Sequence, residues 1–210
     1  MDSISAATQS STLKVDLAWS KFKALISDAN DPQSKPLYIV GFQMIRSPHL
    51  TFKSGESDTT VGTGTLHAIG ISPDYELHGF KDTIKAQKRF KTAYTHQSHA
   101  YSVTDSPVTM TWSSNCGLKT WDFVCMDENQ IAVAKFSANM WAVKKAGQIE
   151  FLGPKANDPA VRDEIVVTGV TLFYCMWLRA NNVFNLVGSI FLRPDHDTKE
   201  LASKEELASS

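Results

Sequence analysis

From Ile165 to Leu178 the chain carries no charged side chain and shows no polar face. Placed on a helix, Ile165, Val166, Val167, Val170, Leu172, Phe173, Tyr174, Met176 and Trp177 cover every side. A helix that is apolar all round has to be enclosed, either by protein or by lipid. At 1.5 Å per residue the stretch rises roughly 21 Å. A bilayer's hydrocarbon core is about 30 Å thick and needs about twenty apolar residues to cross it. Arg162, Asp163 and Glu164 block extension on one side, and Arg179, Asn181 and Asn182 block it on the other. Each charge that near mid-bilayer costs about 2.5–3.5 kcal/mol on the insertion scale. The expectation is therefore no transmembrane span. The helix instead threads a closed β-barrel, with Gly169 and Thr171 small enough to let strands approach.

The helix has a legible start and stop. Asp158 suits the N-cap, Pro159 the first helical position, and Asp163 and Glu164 the positive end of the helix dipole. Asn181-Asn182 suits a left-handed stop.

Ahead of it the pattern is β. "PLYIVGFQMI", "HLTFKSG", "TVGTGTLHAIGI", "YELHGF", "TIKAQKRFKTAYT", "VTMTWSS", "LKTWDFVCM", "IAVAKFSA" and "MWAVKKAGQIEFLG" are strand-like runs. Ser47-Pro48, Ser72-Pro73-Asp74, Asp127-Glu128-Asn129-Gln130 and Ala146-Gly147 punctuate them. Turn residues at that spacing predict a mainly β fold, a closed antiparallel β-barrel of about twelve strands around one apolar C-terminal α-helix. The domain is expected over residues 36–192. Residues 1–35 read as a flexible segment with a short helix across "LAWSKFKALI", and residues 193–210 as a disordered tail.

A formal net charge of −1 gives no blanket attraction to nucleic acid, so none is expected as a partner. The first residues, "MDSISAATQSS", lack the basic and apolar regions of a secretory signal. Cys116, Cys125 and Cys175 form no C-x-x-C pair and leave one over, which suits reduced thiols. Together these point to the cytoplasm; attachment at the periphery of a membrane is expected only from the basic run Lys81 to Lys91.

Three segments carry a resemblance: "YELHGFKDTIKAQKRFKTAYTHQSHA", "MTWSSNCGLKTWDFVCMDENQIAVAKFSANMWAVKKAGQIEFLGPKA" and "RDEIVVTGVTLFYCMWLR". With the order of elements over residues 37 to about 190, they resemble the tubby C-terminal-like fold. That fold is shared by tubby domains, LURP-one-related proteins and scramblases, and the uncharacterised fungal tubby-like proteins are the most similar in detail. The resemblance implies a barrel filled by its last helix and a part played at lipid surfaces. Two family features are missing: the C-terminal signature of tubby proper, and the acidic calcium segment of scramblases, whose place reads "GPKANDPAVRDE". Neither calcium binding nor lipid scrambling is expected.

The chemistry-bearing candidates are few. Lys81, Lys85, Lys88, Arg89 and Lys91 stand against Asp82 alone in "KDTIKAQKRFK". On a regular strand Lys85, Arg89 and Lys91 share one face, which predicts a site for anionic phospholipid or phosphoinositide headgroups. A solvated face that discourages edge pairing is the plainer alternative. Lys144, Lys145 and Lys155 are candidate extensions. His96 and His99 are three apart in a strand or turn, a poor spacing for a shared metal there. "GTGTLHAIG" lacks the third glycine and the helix of a dinucleotide site. Trp112, Trp121 and Trp141 read as barrel wall. With no catalytic motif, the expectation is a non-catalytic domain without cofactor or metal. The alternatives are an enzyme or ligand carrier with a cavity at a barrel mouth, using His78, Asp122 or Asn115, or a protein-interaction scaffold.

Overall fold

The computed structural model describes residues 11–18, 21–31, 33–67, 70–88, 91–104, 106–116, 120–139 and 147–191. The side chains of residues 88, 91, 92, 115, 116, 120, 139 and 181–191 are not described. The chain divides into two compact units, Met1–Cys175 and Met176–Ser210. The first holds a single 13-stranded antiparallel sheet. Its strands are β1 (Ser11–Ala18), β2 (Lys23–Asp28), β3 (Tyr38–Phe42), β4 (Leu50–Ser54), β5 (Thr60–Thr65), β6 (Asp74–Leu77), β7 (Phe80–Thr83), β8 (Lys85–Lys88), β9 (Lys91–Ser98), β10 (Val108–Cys116), β11 (Thr120–Met126), β12 (Ala132–Asn139) and β13 (Gly147–Phe151). A single helix, α1 (Pro159–Phe191), follows them, and from Met176 on it belongs to the second unit.

Two meanders, β1 to β7 and β8 to β13, are joined by the β1–β13 pair. The sheet curls into a nearly closed barrel, leaving β7 and β8 as its two edges. Side chains bridge that seam. The Gln97 amide donates to Asp82 Oδ2 at 3.1 Å, the Tyr75 hydroxyl to the Gln97 carbonyl at 3.0 Å, and the Ala86 amide to Ser72 Oγ at 3.0 Å. These contacts occupy backbone groups that an open edge would otherwise offer to another strand.

Strand alternation sets what points inward. Leu13 and Val15, Ala24 and Ile26, Val40 and Phe42, Leu50 and Phe52, Met110 and Trp112, and Ile149 and Phe151 are all buried. They close on α1, whose residues from Glu164 to Cys175 are buried without a gap. Phe173 meets Trp121, Phe123 and Phe136 with ring centroids 5.3 to 6.4 Å apart. The helix is thus the barrel's core, as its uniform apolarity requires.

Close approach is allowed by missing side chains. A Cβ at Gly169 would lie 3.0 Å from the Trp112 ring, and one at Gly64 would lie 2.5 Å from Thr171 Oγ1. Gly64→Val is therefore expected to cost about 3 kcal/mol by overpacking and to lower Tm by roughly 6–12 °C. Gly41→Val is the control in differential scanning calorimetry, because its Cβ meets nothing within 4 Å. Equal midpoints for the two variants would show that β5 does not press on the helix.

Two expectations are corrected. Residues 11–28 are not a flexible segment with a short helix; they are β1 and β2, paired from Leu13↔Asp28 to Ala18↔Lys23. Leu13 and Val15 alternate with Thr12, Lys14 and Asp16, and Phe22, at φ 49°, reverses the chain where a helix would run on. Nor does Asn181-Asn182 stop α1, which continues to Phe191. Asparagine is only a modestly poor helix former, and the sequence beyond it offers no proline before Pro194. Residues 193–210 lie outside the described part.

Candidate functional site

The basic run does not form one strand face. Lys81 lies on β7, is exposed, and pairs with Glu76 at 3.6 Å. Ile84, wholly buried, separates it from exposed Lys85 on β8. The chain then turns back, so that β8 pairs with β9 and Lys88 stands opposite Lys91, after a register shift between Ala86 and Lys88. Lys85 and Lys91 are on different strands, and the alternation that aligned them with Arg89 is broken. Arg89 and the side chains of Lys88 and Lys91 lie outside the described residues, as do Lys144 and Lys145.

The barrel's two ends differ far more than its faces. In an antiparallel meander alternate links open at the same end, so the links following β1, β3, β5, β8, β10 and β12 share one end. Their described residues are 21–22, 43–49, 66–67 and 70–73, which hold Lys21 and Arg46 and no Asp or Glu. The described residues of the opposite links hold Asp31, Glu56, Asp58, Asp127, Glu128 and Asp158 against Lys35 and Lys155. Among the described links the two ends thus differ in the sign of their charge.

The basic end also exposes apolar side chains. Ile45 is 94 % exposed, Met44 61 % and Phe22 52 %, with Leu25 beside them on β2. Lys21, Lys23 and Arg46 are exposed among them. Backbone hydrogen bonds hold these links together: the Phe42 amide donates to the Phe22 carbonyl at 2.8 Å, Gln43 to His49 at 2.7 Å, and His49 to Gly64 at 2.8 Å. Beneath them the Phe42 and Tyr174 rings pack 4.9 Å apart. Burial holds the His49 imidazole below its usual range, with His67 adding repulsion, which favours the neutral ring.

At the other end the start of α1 is tied to the wall by carboxylates. Asp163 accepts from the Tyr38 hydroxyl at 2.5 Å and pairs with His78 Nε2 at 2.9 Å. His78 and Gly79, both at positive φ, form the tight turn between β6 and β7. Glu164, only 2 % exposed, pairs with His96 Nε2 at 3.0 Å and accepts from Ser98 Oγ at 2.9 Å. Burial chiefly, with the Asp163 bond and charge next, raises the Tyr38 hydroxyl well above its usual range. Sequence reading treated Glu164 as a helix-start charge and missed its partners. The signal was present in β9, where Tyr94, His96 and Ser98 alternate onto the inner face.

The remaining candidates fall apart. His96 points inward while His99 is exposed and stacks on Phe80, with centroids 5.3 Å apart. Among the described residues no group of three His, Cys, Asp or Glu side chains could hold a metal ion. Asp122 belongs to the barrel wall, accepting from Ser137 at 2.6 Å, rather than to a mouth. The Asn115 side chain lies outside the described residues. Trp112 is core. Cys125 and Cys175 are buried, and burial, with Glu164 and Asp127 adding to it, pushes the Cys125 thiol up. Iodoacetamide at pH 8 is therefore expected to leave both thiols unmodified in the native protein and to label both in guanidinium. Intact-mass spectrometry reads the difference, and labelling of Cys125 in the fold would contradict its enclosure.

No α-helix among the described residues is long and apolar enough to cross a membrane. No family model, curated protein or solved structure matches this chain.

Proposed function

We propose that this protein is a non-catalytic domain of the tubby C-terminal-like kind that docks, basic end first, on anionic lipid surfaces. The observation that carries the reading is the coincidence of two properties at one end of the barrel. Lys21, Lys23 and Arg46 are exposed there, and Phe22, Met44 and Ile45 are exposed beside them in the same links. Isolated exposed apolar residues are ordinary, but a cluster of them beside exposed cations is the composition that interfacial anchors use. Each cation near an anionic leaflet contributes about 1 kcal/mol. Apolar side chains seated at the headgroup boundary add their own transfer free energy.

The original candidates divide under this reading. Lys88 ends β8 and Lys91 begins β9, at the docking end, with Arg89 between them in sequence. Lys81 stands near the turn at the far end, next to Glu76, and takes no part.

Cosedimentation of the full chain with vesicles tests the proposal. Binding is expected to phosphatidylserine-containing vesicles and not to pure phosphatidylcholine. It should weaken steeply with salt, as the Debye length shrinks from about 10 Å at 0.1 M to about 3 Å at 1 M. Equal binding to neutral and anionic vesicles, or none to either, overturns it.

A further inference from the structure

We propose that the cavity at the start of α1 binds a small apolar molecule bearing one ammonium group. The cavity, of about 250 Å³, lies at the acidic end of the barrel, away from the lipid-docking end. Leu77, Phe80, Ala100 and Ala160 line it beside His78 and His99, and Glu164 reaches it from the core.

Glu164 sets the chemistry. Among the described residues each of its oxygens has one partner, His96 on Oε1 and Ser98 on Oε2. A carboxylate accepts at about four positions, so further donors are wanted on the cavity side. A buried carboxylate short of donors is costly, which makes it a strong acceptor for a charged one. His96, on the core side, is the one described group at hydrogen-bond distance that can itself carry positive charge, and no Lys or Arg lines the cavity. His78 is already engaged through Nε2 with Asp163 at 2.9 Å. The same negative field is felt next door: burial first, then Glu164 and Asp82, raises the Tyr75 hydroxyl above its ordinary range.

The rest of the wall sets the ligand's body. Apart from Gln97 and His78 it is aliphatic and aromatic, and the stacked Phe80 and His99 rings stand at the rim, where a π face attracts a cation. The volume falls below the roughly 300–1,000 Å³ of pockets for drug-sized ligands, so the body is a single ring or a short chain.

Cyclohexylamine and cyclohexanol, equal in shape and different in charge, are the probes. NMR titration of the full chain near pH 7.5 is expected to show the amine saturating, with shifts at Leu77, Ala100 and Ala160. The alcohol should bind at least tenfold more weakly, and Glu164→Gln should weaken the amine by tenfold or more. Because Glu164 is a core residue, Ala160→Phe serves as a second variant. Ala160 is exposed on the first helical turn, so a ring there fills the cavity and leaves the buried bonds intact. It should abolish amine binding while vesicle binding persists. Amine and alcohol binding alike, shifts elsewhere, or amine binding that survives Ala160→Phe would each overturn the assignment.

Discussion

Val170→Arg should leave no folded barrel at any temperature. Val170 is 2 % exposed, one residue beyond the Gly169 that faces Trp112 and one before the Thr171 that faces Gly64. The new guanidinium would have the inner wall on one side and the helix on the other, without a carboxylate in its turn of α1. An uncompensated buried charge costs several kcal/mol after relaxation. The lost valine adds about 1.5–3 kcal/mol of transfer free energy. A domain of this size has only about 5–15 kcal/mol of net stability to lose. Unlike a surface strand, the helix cannot detach alone, because β3, β5, β9, β10, β11 and β12 all pack on it. Circular dichroism and size exclusion should report an unfolded or aggregated chain. Val103→Arg, at a site 92 % exposed, should match the wild type. A cooperative transition of ordinary midpoint in Val170→Arg would mean the helix is not the core.

That prediction is legible in the sequence alone, and the reason is specific. Uniform apolarity over residues 165–175 leaves a helix no solvent-facing side, so the chain around it has to form a closed wall. The strands are legible where period-two alternation meets strong turn residues, as at Asp127–Gln130 between β11 and β12. Between Leu17 and Ile26 the same residues satisfy a helical spacing and a strand spacing. Pairing with β13 and β3, invisible from within the segment, decides for β1 and β2. The helix stop at Asn181-Asn182 fails for the opposite reason, since a local preference of a few tenths of a kcal/mol was given the weight of a barrier.

The site was harder to read than the fold. The 81–91 run looked like one face because alternation was extended across residues where the chain reverses, and the register shift at Ala86/Lys88 leaves no local mark in the sequence. Glu164 looked like a helix-start charge because its partners, His96 and Ser98, lie more than sixty residues away. The polarity of the barrel ends is written entirely in the links. It emerges only once the meander is known, because the order of strands decides which links share an end.

The second large effect is expected at those links. Lys21→Glu, Arg46→Glu, Phe22→Ser and Ile45→Ser combined should reduce binding to phosphatidylserine vesicles by on the order of a thousandfold or more, to the background seen with phosphatidylcholine. The two charge reversals remove about 2 kcal/mol of attraction and add repulsion of similar size. Each apolar side chain, if seated only half-way into the interface, forfeits about 1 kcal/mol. A total near 6 kcal/mol exceeds the roughly 4 kcal/mol that a thousandfold requires. Stability should move little, because all four side chains are exposed. Phe22→Ser alone should behave as a partial variant, separating the apolar contribution from the electrostatic one by its weak dependence on salt. The comparison set is Lys81→Glu with Lys85→Glu, the members of the basic run that lie on β7 and at the start of β8. If those two reversals abolish binding and the four-residue variant does not, the barrel wall rather than its basic end meets the lipid. If both sets bind like the wild type, the charge asymmetry serves something other than a membrane.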